Sequence, residues 1–230
     1  MRARSYRSAA NHEADTFSRS RKSVREKASC SLPQIKKNLV IISFEGIVIC
    51  HENWGDADRL ISFYTPHLGK TQAVAKGIRY EKSKLRGHLD LLAHGEFMIA
   101  RRNGRGVITD AVSRGTFDAV RARIEIAYCA KTIADFYDAY LFPHAVDEKL
   151  WELLQSTLRM LAENDSLSPE GIGGFLETFA REFVRALGYY SGGEKIRSGE
   201  STLSAYDALL ANTEVAGPKF SEVYRGMQMR

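Results

Sequence analysis

The sequence predicts an α+β chain in two folded parts, a small antiparallel β-barrel followed by an all-helical part. Three observations carry this reading. Between Leu39 and Ser113 short β-rich runs are broken by Gly, Asp and Asn. After Gly115 the apolar spacing changes to threes and fours. Along the same boundary the charge balance changes sign. With 230 residues, 44% hydrophobic and 10% aromatic, the chain has material for one good core or two modest ones.

Five strands are expected. The first, Leu39 to Cys50, is apolar on both faces, and the second, Arg59 to Thr65, carries Ile61 and Phe63. The third is Thr71 to Lys76. The fourth, Leu89 to Arg101, alternates through Leu89, Leu91, Ala93, Phe97 and Ile99; Asn103-Gly104 then signals a hairpin into the fifth, Val107 to Val112. Five short strands in one run suggest an OB-fold, whose loops and open sheet face bind oligonucleotides, with an SH3-like barrel as the alternative.

The helical part begins with a stripe of Phe117, Val120, Ile124, Ala127 and Lys131, extended by Ile133, Phe136 and Tyr140, so that one helix is expected from Thr116 to Leu141 before Pro143. Leu150, Leu153, Leu154, Leu158 and Leu161 make a second helix. Ser168-Pro169-Glu170 starts a third, which Gly188 closes, and a short last helix runs from Thr202 to Ala211. These stripes read as core and call for no cofactor.

The formal charge of +5 is distributed unevenly. Residues 1–37 carry a net +7, residues 38–113 a net +2 and residues 114–230 a net −4. The chain therefore divides into a basic tail (1–37), a barrel domain (38–113) that would meet nucleic acid, and an acidic helical domain (114–230) suited to partner docking. The tail, rich in Arg and Ser and poor in periodic apolar residues, is expected to be disordered; a transit peptide and an over-extended translation start are the competing readings. No apolar run approaches the roughly 20 residues of a membrane helix, so no membrane partner is expected. Cys30, Cys50 and Cys129 are too far apart for a zinc pair, and a reducing, cytoplasmic setting is expected.

Lys76, Arg79, Lys82, Lys84 and Arg86 place five cations in eleven residues opposed only by Glu81. On a barrel such a loop reads as a phosphate-binding surface; in isolation it reads equally as a solvated charged loop. Arg59 and Lys70 flank the next turn. Trp54, in the connection between the first two strands, is a candidate base-stacking ring or a cap on the core, and Tyr80 lies among the cations. Asp56 and Asp58 read as a turn whose carboxylates pair with Arg59. His51, His67, His88, His94 and His144 are scattered. No nucleophile elbow or phosphate-cradling Gly loop occurs, so nothing points to an enzyme.

The ordered set Glu45-Gly46-Ile47-Val48, Trp54-Gly55-Asp56-Ala57-Asp58-Arg59-Leu60, Gly69-Lys70, Val74-Ala75-Lys76-Gly77 and Lys82-Ser83-Lys84-Leu85-Arg86-Gly87, followed by Arg185-Ala186-Leu187-Gly188-Tyr189, resembles the RecO family across residues 39–189. The resemblance implies a bacterial, nucleoid-associated recombination mediator in DNA repair. Such a protein binds single- and double-stranded DNA, anneals complementary strands, contacts RecR and the single-stranded-DNA-binding protein (SSB), and helps load RecA on SSB-coated strands. Many relatives carry a four-cysteine zinc motif after the Leu-Gly-Tyr element. Residues 190–230 here contain no cysteine, so zinc is not expected. For the SSB tail, Arg121, Tyr128 and Lys131 are the candidate partner residues, placed together on the Thr116–Leu141 helix. A general RNA-binding OB-fold protein is the alternative to the recombination reading.

Overall fold

The computed structural model describes residues 39–102, 105–164 and 169–188. The expected tail, the Asn103-Gly104 hairpin tip, the Ser168 cap and the expected helix from Thr202 to Ala211 lie outside these residues. Five strands, β1 (Val40–Trp54), β2 (Asp58–Thr65), β3 (Gly69–Ala75), β4 (His94–Arg101) and β5 (Gly106–Ser113), close a barrel in the order β1-β2-β3-β5-β4, with β4 returning to β1. All pairings are antiparallel except β3 with β5, which meet in parallel at Ala73 and Gly106. This is the OB-fold arrangement rather than an SH3-like one. Among the described residues three α-helices follow: α1 (Ile124–Tyr140), α2 (Glu148–Glu163) and α3 (Pro169–Ala186).

β1 is apolar on both faces because it serves two cores. Phe44 and Val48 enter the barrel interior with Ile61, Phe63, Phe97, Ile99 and Ile108. Ile47 and Ile49 join Tyr64 in a second cluster, shared with Ile133, Tyr137, Leu154 and Phe183 of the helices. Inside the barrel Phe63 meets Phe97 at 4.6 Å and Phe44 at 5.4 Å, the latter edge-on. At the junction Tyr64 lies 5.2 Å from Tyr137, and its hydroxyl donates to the Asp147 carbonyl at 3.2 Å. Helices and barrel thus share apolar burial and form one packed unit.

Two elements differ from the sequence expectation. The fourth strand begins at His94 rather than Leu89: a 3₁₀ turn occupies Arg86–His88, and Leu92 has φ +65°. Leu89 enters the barrel core while Leu92 joins the helix-side cluster, with Leu92 N–H donating to the Val48 carbonyl at 2.9 Å. The period-2 pattern there reflects two separate burial sites, not a pleat. The expected Thr116–Leu141 helix is also broken. A 3₁₀ turn spans Asp118–Arg121, Arg123 is extended at φ −120°, ψ 130°, and only then does α1 begin. The buried residues of α1 are Ile126, Cys129, Ala130, Thr132, Ile133, Ala134, Phe136, Tyr137 and Tyr140. Ile124 is 77% exposed, and Lys131 is exposed too. The six-residue step from Val120 to Ile126 fits no continuous helical stripe.

Asp147 caps α2, its Oδ1 accepting from the N–H groups of Lys149 (2.9 Å) and Leu150 (3.1 Å). Just before it, residues 142–145 dock on the start of β3. His144 N–H donates to the Lys70 carbonyl at 2.9 Å, and Gly69, at φ +61°, lies so close that a Cβ there would sit 2.3 Å from the Ala145 carbonyl oxygen. Only glycine meets both demands.

Burial pushes the Cys129 thiol up to about 12, and burial, followed by the nearby Asp138 and Glu52 carboxylates, does the same for Cys50. Both values lie above the ordinary 9.0 of a free thiol, so stability is complete below pH 9 and is lost as pH rises from 9 towards 12. Melting temperature measured across that window is expected to fall steadily. At neutral pH a thiol reagent is expected to leave both side chains unlabelled in the folded Cys30→Ser variant.

Candidate nucleic-acid interface

The β1–β2 hairpin and the connection after β3 meet at one end of the barrel. Gly77 N–H donates to Asp58 Oδ1 at 2.7 Å and Arg79 N–H to the Ala57 carbonyl at 3.0 Å. The carboxylate of Asp58 is therefore used to hold this connection, not to pair with Arg59 as the sequence suggested. From there the chain descends in successive turns, Tyr80 N–H to Gly77 O, Ser83 N–H to Tyr80 O and His88 N–H to Leu85 O. It leads towards the start of β4, where His88 Nδ1 lies 3.0 Å from Ser113 Oγ at the end of β5. Ile78 and Leu89, both buried in the barrel core, pin the connection at its two ends.

Lys76, Arg79, Lys82, Lys84 and Arg86 are consequently exposed on an anchored connection. None of the five enters an ion pair among the described residues. Tyr80 is 66% exposed and lies over Gly77. Trp54 is the last residue of β1, paired with Asp58, rather than a loop residue, and it is 45% exposed. Its ring carries the Arg105 guanidinium at 4.6 Å from the centroid. Arg59 is half-buried opposite Ala75, whose side chain belongs to the barrel core, and its Nε is buried without a partner among the described residues.

Lys70 stands apart from this group. Its Nζ lies 2.9 Å from Asp138 Oδ1 and also donates to the Asp138 carbonyl, and its side chain is only 12% exposed. The residue fastens β3 to α1, and its charge is neutralised there. Lys70→Met is expected to lower stability by about 2 kcal/mol, since it strands a half-buried carboxylate; thermal unfolding checks this.

The structure does not bring Arg121, Tyr128 and Lys131 together on one helix. Arg121 belongs to the 3₁₀ turn, where its guanidinium pairs with Asp118 and, at 3.8 Å, with Asp90. Tyr128 and Lys131 are on α1, and Lys131 pairs with Asp135. Both cations are thus matched by acids of their own surface.

Sequence reasoning missed Arg101, Arg102 and Arg105, three arginines in five residues around the β4–β5 connection. Their spacing about Asn103-Gly104 was a usable signal, since a hairpin between β-barrel strands projects its flanking side chains beside the neighbouring loops. Among the described residues no group of three or more His, Cys, Asp or Glu side chains gathers as a metal site, and no helix is long and apolar enough to cross a membrane.

The chain is similar to known proteins in its barrel region. Residues 39–117, the barrel and the turn after it, match the family model described as Recombination protein O N terminal. The chain is 32% identical over 117 residues to the DNA repair protein RecO of Dehalococcoides mccartyi strain CBDB1, covering 51% of this chain and 46% of that protein. It is 29% identical over 145 residues to the DNA repair protein RecO of Roseiflexus sp. strain RS-1, covering 63% and 49%. To the DNA repair protein RecO of Bacillus cereus strain AH187 it is 28% identical over 134 residues, covering 58% and 53%. The matches thus span about half the length of these curated relatives.

Proposed function

We propose that the chain is a RecO-like protein, as its similarity to that family across the barrel supports, and that it acts in DNA repair as a recombination mediator, not as a catalyst, holding single-stranded DNA on the outside of its barrel. The observation that carries this reading is the anchored connection from Lys76 to Arg86, whose five cations are exposed and unpaired among the described residues beside the exposed rings of Tyr80 and Trp54. Backbone cations give affinity without sequence preference, and rings stack on any base. A protein that must accept any damaged sequence needs that combination.

Double-stranded DNA presents the same phosphates and is bound by the same cations in this reading, without the stacking contribution. The finer steps follow the family: annealing of complementary strands, contact with RecR, docking of the SSB tail on the helical part, and help in loading RecA on SSB-coated DNA. An SSB tail combines carboxylates with an apolar end, so its dock requires an apolar groove beside free cations. Arg121 and Lys131 already have acidic partners, and the dock is therefore assigned to the helical part as a whole rather than to those residues.

The test is annealing of complementary strands coated with SSB, followed by fluorescence. The full chain is expected to accelerate annealing, and to lose that effect as salt rises. Equal preference for structured RNA, with no acceleration on coated DNA, would favour the general RNA-binding reading instead.

A further inference from the structure

A cleft of about 320 Å³ opens where the first residues of β3 face Arg101 and Arg105, lined by Thr71, Gln72, Arg101, Arg105, Pro143 and His144 beside Lys70. Its composition is that of an anion site. Arg101 carries a buried Nε without a partner among the described residues, Arg105 is exposed and enters no ion pair among them, and His144 adds a ring nitrogen pair. Lys70 on the same wall is already held by Asp138. No carboxylate among the described residues lines the cleft.

Arg105 belongs to two places at once, since it lines this cleft and also lies over the Trp54 ring at 4.6 Å. A stacking platform and a cationic cleft joined by a single arginine match the two ends of one nucleotide, whose base and phosphate are covalently tied. The wall formed by Pro143 and His144 is fixed, because the Lys70 carbonyl accepts from His144 N–H and Pro143 bridges to Lys70. The cleft beside the arginines therefore has one fixed wall.

We propose that this cleft binds an internal phosphodiester of the single strand, immediately next to the base stacked on Trp54, with Arg101 and Arg105 as its contacts. This rests on the single-strand reading above and adds a second phosphate track, separate from the Lys76–Arg86 connection. Each phosphate contact on a single strand contributes about 0.7 to the slope of log affinity against log salt.

The test uses the full chain and two probes of equal length, an oligothymidylate and a strand of abasic residues that keeps every phosphate but has no base to stack. Arg105→Gln is expected to weaken binding of both probes about fivefold at low salt and to reduce the salt slope by about 0.7 on both. Arg105→Lys, which restores the charge, is expected to recover the slope. Circular dichroism confirms folding, and Arg105 is exposed, so the fold tolerates the change. If Arg105→Gln weakens only the oligothymidylate, the arginine merely supports the Trp54 ring and the proposal fails. It fails equally if neither probe is affected while charge reversal of the Lys76–Arg86 connection still abolishes binding. A wild-type chain that binds neither probe overturns the single-strand reading itself, and the cleft assignment with it.

Discussion

Charge reversal at Lys82, Lys84 and Arg86 together is expected to weaken single-stranded DNA binding about a hundredfold at low salt and to flatten the salt slope by about 2, three contacts at roughly 0.7 each. The three side chains are exposed and enter no ion pair among the described residues, so removing them strands no buried partner. The connection itself is held by Ile78, Leu89, and the Gly77 and Arg79 backbone bonds, none of which the substitutions touch. The melting temperature is therefore expected to stay within a degree or two of wild type, which separates a loss of binding from a loss of fold. Equilibrium anisotropy at several salt concentrations measures both quantities. Wild-type affinity in the triple variant at moderate salt would make the connection a solvated surface and nothing more.

Tyr137→Ala is expected to cost about 3–5 kcal/mol, the range for emptying a large aromatic site in a core. Tyr137 is fully buried, its hydroxyl donates to the Leu150 carbonyl at 2.7 Å, and its ring meets Tyr64 and Phe183, each at 5.2 Å. Those contacts reach β2, α2 and α3 together, so the loss is felt by barrel and helices alike. Chemical denaturation followed by tryptophan fluorescence and by far-ultraviolet circular dichroism is expected to show one coincident transition in wild type and variant, shifted to lower denaturant in the variant. Two separated transitions would mean that the barrel holds its fold without the helices.

The barrel was legible in the sequence because its signals are local. Asn and Gly turns punctuate the strands, and Ile61 and Phe63 in β2, or Phe97 and Ile99 in β4, announce an inward face. Even the double-sided burial of β1 had a signature, the apolar run through Ile47, Val48 and Ile49. What escaped was decided by tertiary partners. Leu89 and Leu91 mimic a pleat, yet Leu89 and Leu92 serve different cores. Ile124 and Lys131 completed a helical stripe on paper, while the packed stripe starts at Ile126 after a break at Arg123.

The site was legible in the same uneven way. A dense cation run such as Lys76 to Arg86 is visible in any window, and the structure keeps it exposed. Lys70 looked no different from those cations, because Asp138 lies 68 residues further along the chain and nothing local announces the pair. Arg105 was overlooked for the complementary reason. Its meaning comes from Trp54, brought to its side only by closure of the barrel.

The most direct test of the central claim is the salt dependence of single-strand binding by the wild-type chain. Three to five backbone contacts predict a plot of log affinity against log salt that falls with a slope of about −2 to −3.5, with little difference among base compositions. A slope near zero, or no binding at low salt, would contradict the account.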